Sequence, residues 1–256
     1  MNPSEILDRQ IDAAVALLRR ARSAVAVTGA GISAESGIPT FRDSGGFWEK
    51  YPPEEYATYS AFRRNPKKIW TMWRERSAIL RESQPNPGHY ALAELETAGW
   101  LKGVITQNVD NLHQDAGNER VVEFHGNARR MRCKGCGHAE PITAEALEDI
   151  PPACSCGAIM KPDVVMFEEW IPEDALAEAD ALTARCDAML VIGTSAQVYP
   201  AADLPRVARN NGASIIEINI EPTEFTDMLT DVYLQGAAGK VLPCITKRLT
   251  DRTESR

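Results

Sequence analysis

The chain has 256 residues, 44% hydrophobic and 25% charged, which suits one large domain, or one domain carrying a smaller insert, and excludes a disordered tail, a collagen-like repeat or a coiled coil. Lys and Arg number 28 against 36 Asp and Glu; the net charge of -8 has the wrong sign for a duplex-binding surface and disfavours a direct nucleic-acid partner. No apolar run approaches the roughly 20 residues that span a bilayer, and Met1 to Glu5 lacks the pattern of a signal peptide, so no membrane partner and a cytoplasmic location are expected.

In chain order, Ile6 to Arg22 alternates apolar and charged residues as an amphipathic helix does. Ala24 to Thr28 is a short apolar run of the kind found in strands buried on both faces. Gly29-Ala30-Gly31-Ile32-Ser33-Ala34 then fits the dinucleotide fingerprint G-x-G-x-x-[G/A] between a predicted strand and a predicted helix. Glycine there permits a tight turn and lets backbone N–H groups approach a pyrophosphate at a helix N-terminus, although glycine turns after strands also serve packing. Gly37-Ile38-Pro39 stops the helix almost at once, and Thr40-Phe41-Arg42 opens a long loop, so a bound cofactor is expected under a lid. The stretch 41–87 contains Pro52-Pro53 and an aromatic, basic helix around Ile69 to Arg76, and reads as a lid with a small helical insert.

The alternation resumes with a helix over His89 to Ala98 and a strand over Gly103 to Thr106. That strand runs into Gln107, Asn108, Val109 and Asp110, and polar side chains at the carboxyl end of a parallel strand lie where such folds place their sites. A helix cap by Asn108 or Asp110 would account for one of them but not for all. A further strand from Val121 ends at His125-Gly126; histidine is the side chain best suited to proton transfer near neutral pH, and a histidine before glycine is also a common structural pairing.

The stretch 127–161 is rich in Cys, Gly and Pro and poor in regular pattern, as a module held by something other than a core would be. Cys133, Cys136, Cys154 and Cys156 have the spacing C-x2-C-x17-C-x-C, with Gly137 and Gly157 allowing sharp turns. Four thiolates suit a closed, structural zinc site, one per chain; free or disulfide-bonded cysteines are the competing reading, and His138 is near enough to replace a ligand. Cys186 and Cys244 stand alone. Beyond the module, helices over Pro172 to Arg185 and Ala201 to Asn211 alternate with strands over Ala188 to Ile192 and Ser214 to Asn219, Gly212 closing the second helix. Those strands end in Gly193-Thr194-Ser195 and Asn219-Ile220-Glu221. The alternation predicts an α/β fold with a parallel sheet and right-handed crossovers.

Gly29 to Ser33, Gly37 to Arg42, Thr106 to Asp110, His125-Gly126, the four clustered cysteines and Gly193 to Ser195, in this order, resemble the sirtuins, NAD-dependent protein-lysine deacylases; the match runs from about Ala24 to Pro243. The resemblance implies a Rossmann-like parallel-sheet large domain with a small domain built from the helical insert, 41–87, and the zinc-binding module, 127–161. The site would lie in the cleft between them. It implies that NAD is a consumed co-substrate and that acyl-lysine proteins are the partners. The pyrophosphate would sit on Gly29, Ala30, Gly31 and Ser33, with Glu35, Thr40, Phe41, Arg42 and Trp48 also against the cofactor. Gln107, Asn108, Val109 and Asp110 would meet the nicotinamide ribose, and Gly193, Thr194, Ser195, Asn219, Ile220, Glu221 and Ala238 the other ribose and the adenine side.

By the same resemblance, Asn108 and Asp110 serve catalysis with His125. The acyl oxygen of the substrate displaces nicotinamide, His125 acts as general base on a ribose hydroxyl, and free lysine, nicotinamide and O-acyl-ADP-ribose result. Val164, Val165 and Phe167 would bind the substrate. One subgroup of sirtuins, which removes succinyl and malonyl groups, binds the acyl carboxylate with a Tyr and an Arg three residues later beside a small Ala. Here Trp73, Arg76 and Ala57 take those places, and residues three apart share a helix face. Glu168 stands where the family normally has Gly. Protein ADP-ribosyl transfer and a catalytically lapsed NAD or ADP-ribose sensor are the competing functions; the oligomeric state is not legible.

Overall fold

A six-stranded parallel sheet, ordered β3-β2-β1-β7-β8-β9, organises the computed structural model, which describes residues 3–41 and 45–251. Its strands are β1 (Ala24–Thr28), β2 (Leu101–Thr106), β3 (Val121–Glu123), β7 (Ala188–Ile192), β8 (Ser214–Asn219) and β9 (Val232–Gln235). The central strands β1 and β7 are buried along their whole length, as their unbroken apolar runs require. Ala24, Ala26, Leu190 and Ile192 face α1 (Pro3–Arg20), α6 (Pro87–Thr97) and α11 (Ala238–Thr250) in one core. Val25, Val27, Met189 and Val191 face α8 (Glu173–Arg185) and α9 (Leu204–Asn210) in another. Among the described residues, no helix is long and apolar enough to cross a membrane.

Register places the site. Thr28 pairs with Thr106 on one side and Ile192 on the other, and Ile192 pairs with Ile218. The chain therefore leaves the four central strands at one level, delivering Gly29, Gln107, Gly193 and Asn219 side by side. Strand order reverses at β1, so this carboxyl-end crevice is the topological switch point where open α/β sheets take ligands.

A third core lies beside the sheet. It joins α2 (Phe47–Lys50), α3 (Pro53–Tyr56), α4 (Tyr59–Arg64) and α5 (Pro66–Glu82) to an antiparallel sheet of order β5-β4-β6: β4 (Gly126–Cys133), β5 (Ala139–Pro141) and β6 (Met160–Val164). Asn65 starts α5 by accepting the Lys68 amide, with Pro66 at the first helical position, where its missing N–H leaves nothing unpaired. Fully buried Trp70 donates its indole N–H to the Met160 carbonyl at 2.9 Å, pinning α5 to β6. This corrects the expectation that 127–161 lacks regular structure and is held by something other than a core: it forms three strands, and Met131, Leu147 and Met160 share a core with Ile69 and Trp70. The helix expected over Ala201 to Asn211 is also divided, into a 3-10 turn, Ala201–Asp203, and α9, because Pro205 in the first turn of α9 has no N–H for a continuous ladder. Gly212, at φ +92°, ends it as expected.

Candidate active site

A cleft of about 740 Å³ opens over the carboxyl ends of the strands, between the sheet and the third core. The glycines of the first loop serve a contact the sequence did not reveal. A Cβ on Gly29 would stand 2.8 Å from the Gly193 carbonyl oxygen, and one on Gly31 2.7 Å from the Gly193 Cα. The Gly31 amide donates to that same carbonyl at 2.8 Å. The two strand-end loops thus touch through bare backbone, and Gly193 itself holds φ +58°. The loop continues as a 3-10 turn, Ala30–Ser36, ended by Gly37 in the left-handed conformation.

Behind this loop the polar residues of the second strand end form one cluster. Ser33 donates to Asp110 at 2.7 Å, and Asn108 donates to the Gly29 carbonyl and the Ser33 hydroxyl, each at 3.1 Å. Asp110 also accepts the Leu112 amide, at the first residue of α7 (Leu112–Asp115), as well as facing Ser33. Ser33 and Asp110 line a narrow recess shared with Asn108, Val109, Phe41 and Arg76, whereas the other described candidates line the main cleft. Gln107 donates to Thr194 and Asn219 donates to the Thr194 carbonyl, which ties three strand ends together. Glu35 is turned toward the Gly239 amide at the start of α11, with its neighbour Ala238 on the cleft wall. Phe41 and Trp48 meet at 5.1 Å between ring centres; Arg42 lies outside the described residues.

His125 follows β3 and places Nδ1 3.2 Å from the Gln107 carbonyl oxygen. A carbonyl can only accept, so it selects the tautomer protonated at Nδ1 and leaves the Nε2 lone pair available. Burial holds the imidazole below its ordinary pKa, and it is neutral at pH 7. Gly126 is obligatory on steric grounds: at φ +82° a Cβ would fall 2.1 Å from the Asp163 carbonyl oxygen.

Two buried histidines escaped the sequence reading. His89 and His113 meet edge to face at 5.0 Å beneath the cluster, His113 Nε2 sharing a hydrogen bond of 2.9 Å with Thr28 and His89 Nε2 lying 3.4 Å from Ser33. Burial pushes them down to about 4 and about 3, so both stay neutral and support the cluster without charge. Their only trace in the sequence is a polar residue at a core-facing helical position. The loop after β8 has a hidden support too: buried Glu217 accepts hydrogen bonds from Thr223, Thr226 and Thr230.

On the far wall, Ala57, Trp73 and Arg76 line the cleft. Arg76 is 8% exposed and its guanidinium lies 4.3 Å from the Phe47 ring centre and 5.3 Å from that of Phe41. Burial lowers it to about 10, which still leaves it charged at neutral pH. Arg76 Nε and Trp73 Nε1 are both buried with no hydrogen-bond partner among the described residues. Buried donors without acceptors are costly, and both residues line the cleft. Val164, Val165 and Phe167 complete this wall.

Away from the cleft, the ligand sulfurs of Cys133, Cys136, Cys154 and Cys156 all lie within 4.8 Å of one another. Cys133 with Cys156 and Cys136 with Cys154 stand 3.5 and 3.6 Å apart, far beyond the length of a disulfide bond, and all four cysteines are free. Backbone N–H groups of Cys136 and Gly135 pull the Cys133 thiol below its ordinary pKa, while neighbouring thiols hold those of Cys136 and Cys156 above theirs. Four sulfurs in this arrangement fit a tetrahedral, closed zinc site. His138 is turned to Glu140 instead, at 3.2 Å, and Cys186 and Cys244 bond to backbone carbonyls.

The Sir2 family model matches residues 29–200. NAD-dependent protein deacylase 2 of Pyrobaculum aerophilum is 49% identical over 241 residues, covering 94% of this chain and 96% of its own. Among solved structures, a mutant Sir2 homologue in complex with ADP-ribose superposes with a TM-score of 0.90 at 40% identity, over 96% of this chain and 99% of that one. Sir2Af2 bound to a myristoylated histone peptide superposes with a TM-score of 0.78 at 41% identity, over 94% and 98%. With a glycine-paired strand-end crevice, a neutral cleft histidine and a four-sulfur cluster on one chain, and relatives that match it over most of its length, this protein belongs to the Sir2 family.

Proposed function

We propose that this chain removes acyl groups from protein lysine, consuming NAD and releasing nicotinamide, free lysine and O-acyl-ADP-ribose. In this reading 41–87 and 127–161 together form the small domain, the latter holding one zinc. The observation that carries it is a cleft lined by a neutral histidine with a free ring nitrogen and by Trp73 and Arg76, with the Ser33, Asn108 and Asp110 cluster in the recess that adjoins it. NAD supplies the ribose carbon that the acyl oxygen attacks as nicotinamide leaves. Asn108 and Asp110 orient that ribose beside Gln107 and Val109, and the backbone from Gly29 to Ser33 receives the pyrophosphate under Thr40, Phe41 and Trp48. Gly193, Thr194, Ser195, Asn219, Ile220 and Glu221 take the adenosine end. His125 accepts the ribose hydroxyl proton at Nε2, because Nδ1 is committed to Gln107.

Mass spectrometry of an acyl-lysine peptide incubated with the protein and NAD tests the reading directly. Loss of the acyl mass is expected. Gain of an ADP-ribose mass would favour ADP-ribosyl transfer instead, and an unchanged peptide would favour a sensor.

The acyl group itself is set by Arg76. A buried guanidinium stacked on aromatic rings and short of acceptors favours a bidentate carboxylate, so succinyl-lysine or malonyl-lysine is accepted at least as well as acetyl-lysine, with Trp73 N–H as second donor. Sir2Af2 is bound to a myristoylated histone peptide, so a long apolar acyl chain is the competing case. Comparing kcat/KM for matched succinyl, acetyl and myristoyl peptides separates these cases. Arg76→Met is expected to lower the succinyl-to-acetyl ratio about tenfold or more, the worth of a charge-assisted hydrogen bond. An unchanged ratio would remove Arg76 as the acyl reader.

A further inference from the structure

We propose that Glu168 is a positioning residue for the acyl-lysine peptide, its carboxylate latching the cleft-wall segment 164–168 to the helical insert; this rests on the deacylase reading above. The segment lines the cleft from Val164 to Glu168. At one end the Val165 amide donates to the His125 carbonyl at 2.9 Å. At the other, the Phe167 amide donates to the Ala57 carbonyl at 2.9 Å and the Tyr59 amide to the Phe167 carbonyl at 3.0 Å. It is therefore a strap between the loop that carries the base and the wall that carries Ala57.

Glu168 sits at the exit of this strap with φ +75°, a left-handed conformation that disfavours any residue with a Cβ. Its side chain supplies the compensation. The two carboxylate oxygens accept the Ser60 amide at 2.8 Å and the Ser60 hydroxyl at 2.9 Å, at the start of α4. The next residue pulls the other way: Glu169 accepts the Met166 amide at 3.0 Å and pairs with Lys134 at 2.7 Å and Lys161 at 2.8 Å. Lys134 lies between two of the clustered cysteines, so adjacent carboxylates hold the strap to the insert and to the cysteine module at once. Glu168 bonds to Ser60 and not to His125, Asn108 or Asp110, and what it fixes is the edge of the cleft wall where Phe167 pairs with Ala57 and Tyr59. A cleft wall fixed in advance spares the peptide the cost of ordering it, which appears in the peptide KM and not in kcat.

Steady-state kinetics of Glu168→Gly, Glu168→Gln and Ser60→Ala with an acyl-lysine peptide and NAD test this. Glu168→Gly, which removes the latch together with the strain, is expected to raise the peptide KM about three- to tenfold, with kcat and the NAD KM within about twofold of wild type. Glu168→Gln can still accept the Ser60 amide and should return the peptide KM to within about twofold. Ser60→Ala keeps the amide donor and the unaltered strap, and should give a smaller rise in the same constant alone. An unchanged peptide KM in both Glu168→Gly and Ser60→Ala overturns the latch, as does a parallel rise in the NAD KM, which would report general loosening. Wild-type turnover without these effects overturns the latch only; no wild-type turnover of any acyl peptide overturns the deacylase reading and the latch with it.

Discussion

His125→Ala is expected to lower acyl-peptide turnover by about two orders of magnitude or more, the usual contribution of a positioned general base, while NAD binds as tightly as before. The ring is held by the Gln107 carbonyl at Nδ1, so removing it takes away a proton acceptor without unfastening a strand end, since Gln107 remains tied to Thr194. A base acts only when unprotonated. Burial keeps the folded-state pKa of His125 below its ordinary 6.5, so activity governed by this group should be level at neutral pH and fall as the pH drops through a value below 6.5. Calorimetric titration of NAD against the variant, with peptide kinetics from pH 5 to 8, checks both halves. A variant within tenfold of the wild-type rate, or an acid limb unchanged by the substitution in a residually active His125→Asn, would place the proton transfer elsewhere.

What could be read from the sequence divides along physical lines. Strand ends were legible because β1, β2, β7 and β8 are buried on both faces and spell short apolar runs, so the residue after each run falls at the crevice whatever the rest of the fold does. The i, i+3 spacing of Trp73 and Arg76 was equally local, and both reach the cleft. The reason for Gly29 and Gly31 was not local: it is the backbone of Gly193, far along the chain, and no spacing within the first loop encodes it. His89 and His113 were missed because a polar residue in an otherwise apolar helix face carries no mark of its partner, here Ser33 and Thr28 from other elements. The cysteine module looked coreless because β4 alternates arginines with its few apolar residues, and those few are completed by Ile69 and Trp70 from another part of the chain. Glu168 was visible as an unusual residue at its position, but its left-handed backbone and its bond to Ser60 exist only in three dimensions.

Loss of the metal should have the larger structural effect. One zinc per chain is expected by metal analysis, and its binding energy is folding energy, because four thiols are not gathered in the unfolded chain. The Cys133 and Cys154 side chains belong to the same apolar cluster as Met131, Met160, Trp70 and Trp73, so the damage would not stay in the module. Cys133 ends β4, opposite Met160 of β6, and Met160 holds the Trp70 indole. Freed of metal, this edge would open onto α5, whose Trp73 and Arg76 line the cleft, and through Lys134 onto Glu169 and the cleft strap. Cys133→Ser and Cys154→Ser, at the two buried ligands, are therefore expected to lower the melting temperature by about 10 °C or more and to increase binding of a hydrophobic dye. Cys244→Ser, at an exposed position outside the cluster, should shift it by less than about 2 °C. Metal-free protein that melts with the holoprotein and retains its peptide KM would show that the four sulfurs contribute packing alone, and that the third core holds this cleft wall without a metal.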